Sequence, residues 1–234
     1  MSGDGEHILA HLDTVATERA ARAAEPALAA RVAAVKDWQH ARFARSYADL
    51  QAQPRYAAAT RFFLEELYGP RDYRNRDEQF ARVVPALVRL FPTDTVHTVR
   101  TLAELHALSE VLDTALARQV QALPLTAAAY GQAWRATGRA SERAQQIALI
   151  GQVGRALDAY TRNPLLRNGL RMMRVPARLA GLGELQGFLE TGFDTFAAMH
   201  GASEFMATID ARERAEVDAL FNPALKPMPA HDGR

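Results

Sequence analysis

The sequence has no cysteine, which excludes disulfides, thiolate zinc sites, iron–sulfur clusters and cysteine nucleophiles. Lysine is nearly missing too: of 28 basic residues, only Lys36 and Lys226 are not arginine. A Schiff-base enzyme therefore has few candidates. With so much alanine, the bias points to GC-rich coding rather than to selection for arginine chemistry. No apolar run approaches the roughly 18 residues of a membrane span. The opening Met-Ser-Gly-Asp-Gly-Glu lacks the basic start and apolar stretch of a secretory signal, so the expected location is the cytoplasm. An excess of charge is also missing, with 28 Lys+Arg against 27 Asp+Glu and a net charge of +1. That balance argues against nucleic acid as a partner and gives no general pull toward an anionic membrane, although a local patch is compatible with it.

Several reaction classes lack their marks. There is no Gly-x-x-x-x-Gly-Lys-Ser/Thr phosphate loop, no Gly-x-Ser-x-Gly nucleophile turn and no His-Glu-x-x-His. Glu-x-x-His, which builds carboxylate-bridged metal pairs in helical bundles, is absent as well.

What is present is helix. Ala, Leu and Arg favour it, apolar residues recur at spacings of three and four, and Pro and Gly punctuate the chain. Ile8, Leu12 and Val15 mark one face of a helix over 6–24. Pro26 opens the next, which Leu28, Val32, Val35, Trp38 and Tyr47 carry to residue 50. A third covers 56–68, with Gly69 as a left-handed cap and Pro70 as a stop. A fourth covers 75–91, and Pro85 inside it should kink or split it. Thr93-Asp94-Thr95 offers caps for a long helix ending near residue 123, Thr126 for a short one, and Ser141 for one over 142–161. Asn163-Pro164 signals a restart. Further helices follow, broken near Pro176 and near 201–203. The expectation is an all-α fold, a single-domain bundle of roughly eight to ten helices over 1–221, with a disordered tail over 222–234.

Residues 62–68 read Phe-Phe-Leu-Glu-Glu-Leu-Tyr, continue as Gly69-Pro70-Arg71-Asp72, and close with Arg76-Asp77. Together with Lys36-Asp37-Trp38-Gln39 and Arg55-Tyr56, this stretch resembles the bacterial FFLEELY motif protein family. The resemblance implies a bacterial, helical protein and brings no reaction, cofactor or catalytic residue with it. Read physically, the motif is two turns of a helix that is apolar around most of its girth, and such a helix is buried among others. One of Glu65 and Glu66 then lies near the core edge and needs a partner, which Arg71, Arg74 or Arg76 can supply across the turn. The alternative is a ligand site into which Glu66, Tyr68 and Asp72 point.

Other constellations invite chemistry. His106 and Asp113 share an otherwise apolar face of the long helix two turns apart, as a metal ligand or base would need; the plainer alternative is a histidine satisfied at the core rim. His7 and His11 are four apart on the first helix, where solvation is the simpler account. Arg167, Arg171, Arg174 and Arg178 form a basic stripe if one helix persists through Pro176. It suits an anionic partner (phosphate, nucleic acid or lipid headgroup) or a solvated face. Gly183 and Gly187, like Gly151 and Gly154, permit close helix approach. Phe188, Leu189, Phe193, Phe196, Met199, Phe205, Met206 and Ile209 form an aromatic and methionine stripe suited to core, to a pocket or to a dimer seam.

Three readings compete. The first is an interaction or regulatory protein, a homo-oligomer assembled through a seam at Phe196 and Phe205. The second is a bundle pocket for a lipophilic or cofactor-like small molecule, walled by Phe62, Phe63, Tyr68, Trp134 and Phe193, with polar ends at Glu66, Asp72, His106 or Asp113. The third is a metal-dependent enzyme using His106 with Glu66, Asp72 or Asp113. No metal set or cofactor is identified by any motif.

Overall fold

The computed structural model describes residues 3–67 and 73–222. In chain order they form α1 (Gly3–Ala24), α2 (Pro26–Ser46), α3 (Ala48–Ala52), α4 (Pro54–Phe62), a π-helical turn (Phe63–Leu67), α5 (Arg74–Leu90), α6 (Thr93–Gln119), α7 (Ala127–Ala136), α8 (Ala140–Thr161), α9 (Pro164–Met172), α10 (Arg174–Leu179), α11 (Gly183–Ala198) and α12 (Ser203–Phe221). No strand occurs among the described residues, and ten of the helices have seven or more residues. The expected all-α bundle is what the chain builds. Tyr68, the Gly69 cap, the Pro70 stop, Arg71, Asp72 and the tail beyond Asn222 lie outside the described residues.

The apolar spacing of the sequence becomes the core. Ile8, Leu12 and Val15 of α1 are buried, as are Leu28, Val32 and Val35 of α2. The long α6 lies centrally, packing on α1, α2, α5, α7 and α8. One apolar cluster joins Ile8 and Leu12 to Val84, Val96 and Ala103. A second joins α2 to Leu116, Val120, Tyr130 and Trp134. The third gathers Phe43, Tyr47, Tyr56, Phe62, Phe63 and Leu64 around Phe196, Met199, Phe205, Met206 and Ile209. Most of the aromatic and methionine stripe is therefore core, with Leu189 exposed and Phe188 partly buried: Phe196 and Phe205 point inward and form no external seam. At Gly154 the helix backbone accepts Met206, whose Cε and Sδ fill the space where a Cβ would stand. Gly187, by contrast, has nothing within 4 Å of that point.

Local signals are partly kept. Thr126 caps α7 by accepting from the Ala129 N–H, and Asn163 caps α9 by accepting from the Leu165 N–H. The helix begun by Pro26 ends at Ser46; the non-helical backbone of Tyr47 (φ −121°) interrupts it, and α3 carries the chain on past residue 50, while the buried Tyr47 donates its hydroxyl to Glu213. Pro85 does not split α5; it stands on the exposed side of one continuous helix. Thr93-Asp94-Thr95 forms the first turn of α6, with Pro92 at the cap position. Ser141 likewise lies inside α8, one residue past its start. Near Gly201 the chain breaks as expected, at left-handed His200 (φ 52°) and Gly201 (φ 115°).

Candidate functional site

In the motif, Phe62, Phe63 and Leu64 are all buried. Three consecutive buried residues do not fit one stripe of an α-helix, and the backbone widens into the π turn over Phe63–Leu67. Phe62 stacks on Phe188 at 5.6 Å, while Phe63 meets Phe43, Phe196 and Phe205. Glu65 is exposed, and its carbonyl accepts from the Tyr73 hydroxyl at 2.5 Å. Glu66 is the half-buried member, accepting from Arg76 at 3.3 Å. The Arg76 guanidinium lies between two rings, 4.0 Å from the centre of Tyr73 and 4.4 Å from that of Phe188. Burial pulls Arg76 below the ordinary guanidinium value against the opposing pull of Asp77, Tyr73 and Glu66. Glu66, Tyr73, Arg76, Glu184, Gly187, Phe188 and Thr191 line an open cleft of about 250 Å³.

The other sequence-selected residues separate. His106 Nε2 is 2.9 Å from Asp77 of α5, and Arg19 reaches the same carboxylate at 2.8 Å. Asp113, two turns on, accepts instead from Gln39 of α2 at 3.1 Å, and burial pushes its carboxyl up. Between them sits Glu110, buried, which accepts from Arg22 and, at 2.8 Å, from Lys36. Arg22 also donates to the Thr114 hydroxyl and the Glu110 carbonyl. Trp134 lies in the second cluster with Arg143 4.1 Å from its ring centre, and its buried indole N–H has no hydrogen-bond partner among the described residues. Phe193 is buried in α11. Thus Phe62 and Phe63 share one cluster, Glu66 belongs to the cleft, His106 and Asp113 belong to the polar band along α6, and Trp134 stands apart. Among the described residues no group of three His, Cys, Asp or Glu is placed to hold a metal ion.

What sequence reasoning missed is the set of apolar side chains exposed beside the expected arginine stripe. From residue 159 to residue 183 there is no acidic residue and no lysine, but there are five arginines: Arg162, Arg167, Arg171, Arg174 and Arg178. This stretch builds α9 and α10. The helices break at Met173, before Pro176, so the expected stripe bends. Local chemistry holds the pair in place: the Asn163 cap opens α9, and a Schellman turn closes α10. There Gly181 (φ 70°) donates to Arg178 O at 3.0 Å, and Leu182 donates to Ala177 O at 2.8 Å. Arg167 and Arg171 clamp Asp194 of α11 at 2.8 and 3.6 Å, and Arg174 clamps Glu190 at 2.7 Å. Gln186 of α11 donates to Leu170 O at 2.6 Å.

Arg167, Arg171 and Arg174 reach α11 while staying about half exposed, and apolar side chains face outward beside them. No residue of α9 is buried, and in α10 only Ala177 is. Leu165 is 79% exposed, Met172 77%, Val175 64% and Leu179 85%, with Met173 beside them at 54%. Scattered exposed apolar residues are ordinary; a run of them on one helix pair marks an interaction surface. The count of acids across 159–183 was available in the sequence. What it lacked was the direction of the arginines, which depends on Glu190 and Asp194 of another helix.

No helix among the described residues is long and apolar enough to cross a membrane. No curated protein and no solved structure matches the chain. The model of one family does match, that described as Domain of unknown function (DUF8198), over residues 18–227, and the chain therefore belongs to that family.

Proposed function

We propose that this chain is an interaction protein whose working surface is the α9–α10 pair, docking on a partner that offers negative charge around an apolar-accepting surface. The observation that carries it is the joint presence of five outward apolar side chains and four arginines, with Arg162 just before the cap as a fifth, on one locally capped element with hardly any buried residue. The core does not need these apolar groups, and exposing them costs solubility unless something covers them. Two copies of this face would bring like charges together, which argues against self-association through it. The same reading takes residues 1–221 as the working domain of a bacterial, cytoplasmic protein of the FFLEELY motif type.

A photo-crosslinking amino acid in place of Leu179, compared with one in place of exposed Ala16 on α1, tests this directly in bacterial cells. Adducts from position 179 and none from position 16 are expected. Absence of both protein and lipid adducts from position 179 contradicts the proposal.

A second reading has one observation in its favour, the Arg76 guanidinium held between Tyr73 and Phe188 at the edge of the cleft. A small polar ligand there would meet Glu66 and Arg76 as its polar contacts and Phe188 as a wall. Native mass spectrometry of the full chain separates the outcomes: a retained small mass supports this reading, and a clean chain counts against it.

A further inference from the structure

The partner of α9–α10 can be named by its chemistry. Resting on the docking surface just described, we infer that α9–α10 lies on an anionic lipid headgroup surface. Exposure is the first ground. On this pair Leu165, Met172, Val175 and Leu179 are all largely exposed. A protein partner would need a groove cut to match them. A bilayer interface receives exposed apolar side chains without one, and amphipathic helices with arginine on the polar side use it this way.

Charge is the second ground. Among the described residues the five arginines are met by three acids, Asp158, Glu190 and Asp194. Arg178 makes no ion pair among the described residues. Arg167, Arg171 and Arg174 remain 44%, 50% and 48% exposed even while paired. A guanidinium fork matches phosphate geometry. An anionic surface is thus met by an excess of positive charge at the depth where the leucines and methionines enter the acyl boundary. Nucleic acid would use the arginines but leave Leu165, Met172 and Leu179 in water; a lipid surface uses both sets.

The test is flotation of the full chain with vesicles of phosphatidylcholine alone, or with about a third phosphatidylserine. Each unneutralised arginine near such a surface raises partition about fivefold. Binding to the anionic vesicles is therefore expected to exceed that to neutral ones by about tenfold or more. It should fall steeply between about 0.1 M and about 1 M salt, as the screening length shrinks from about 10 Å to about 3 Å. Arg178→Glu should weaken binding, and Met172→Glu with Leu179→Glu should abolish it, with unchanged helix content because all three sites are exposed. No flotation with either vesicle, or equal flotation with both, overturns the inference. Protein adducts from position 179 without vesicle binding leave the docking surface standing and remove the lipid; absence of both removes both.

Discussion

Replacing Glu110 by Gln tests the energetic centre of the bundle. This carboxylate is buried on α6 and accepts from Arg22 of α1 and Lys36 of α2, so three helices meet at one negative charge. Burial alone would push its carboxyl up. The charges of Lys36 and Arg22 and their hydrogen bonds outweigh that and bring it from the ordinary 4.5 to about 2. A folded-state value below the unfolded one means the stability is present above pH ~4.5 and is lost as pH falls toward ~2. At 1.36 kcal/mol per unit, the difference amounts to about 3 kcal/mol at neutral pH. Glu110→Gln keeps the shape but leaves two cations without a counter-charge. Arg22 retains Thr114 and the Glu110 carbonyl, so the expected cost is at the lower end of about 3–5 kcal/mol. Urea unfolding should show that loss at pH 7. The gap between wild type and variant should then shrink by about 2 kcal/mol by pH 3, because the wild type alone loses this contribution. A cost below about 1 kcal/mol at pH 7, or a gap that does not change with pH, refutes the reasoning.

Three further outcomes follow from the packing. Trp134→Phe removes an indole N–H that has no hydrogen-bond partner among the described residues and keeps a ring for Arg143. The loss should stay below about 1.5 kcal/mol by urea unfolding, against about 3–5 kcal/mol for Trp134→Ala. Gly154→Val pushes branched carbon into the space of Met206 and should destabilise by about 1–3 kcal/mol, with part of the loss recovered when Met206 is shortened to Ala in the same chain. Asn163→Ala deletes the cap on α9 and should cost about 1 kcal/mol. Because α9 buries nothing, hydrogen exchange should localise that loss to α9 and α10.

The fold was legible because burial follows repeating spacing. Ile8, Leu12 and Val15, then Leu28, Val32 and Val35, are core in the order their period predicts. Caps that rest on one side chain and one N–H, at Thr126 and Asn163, were equally readable. The Thr93 and Ser141 positions misled because several polar residues compete at a helix start, and packing moved the boundary by one or two residues. Side-chain partners were less accessible. The spacing of His106 and Asp113 puts them two turns apart on α6, yet each finds its partner on a different helix, Asp77 on α5 and Gln39 on α2. The clamp of Glu66 by Arg76 was readable because it closes a short loop. The outward turn of Leu165, Met172 and Leu179 was not, since it depends on Glu190 and Asp194 of α11 pairing with the arginines.

The absence of cysteine makes the most direct test of the docking surface a clean one. Leu179→Cys and, separately, Ala16→Cys each accept a single polarity-sensitive fluorophore on the full chain. With vesicles containing phosphatidylserine, the label at position 179 should shift to the blue and resist an aqueous quencher, while the label at position 16 should not change. Equal spectra at both positions, with and without vesicles, would contradict the assignment of α9–α10 as the surface that meets an anionic membrane.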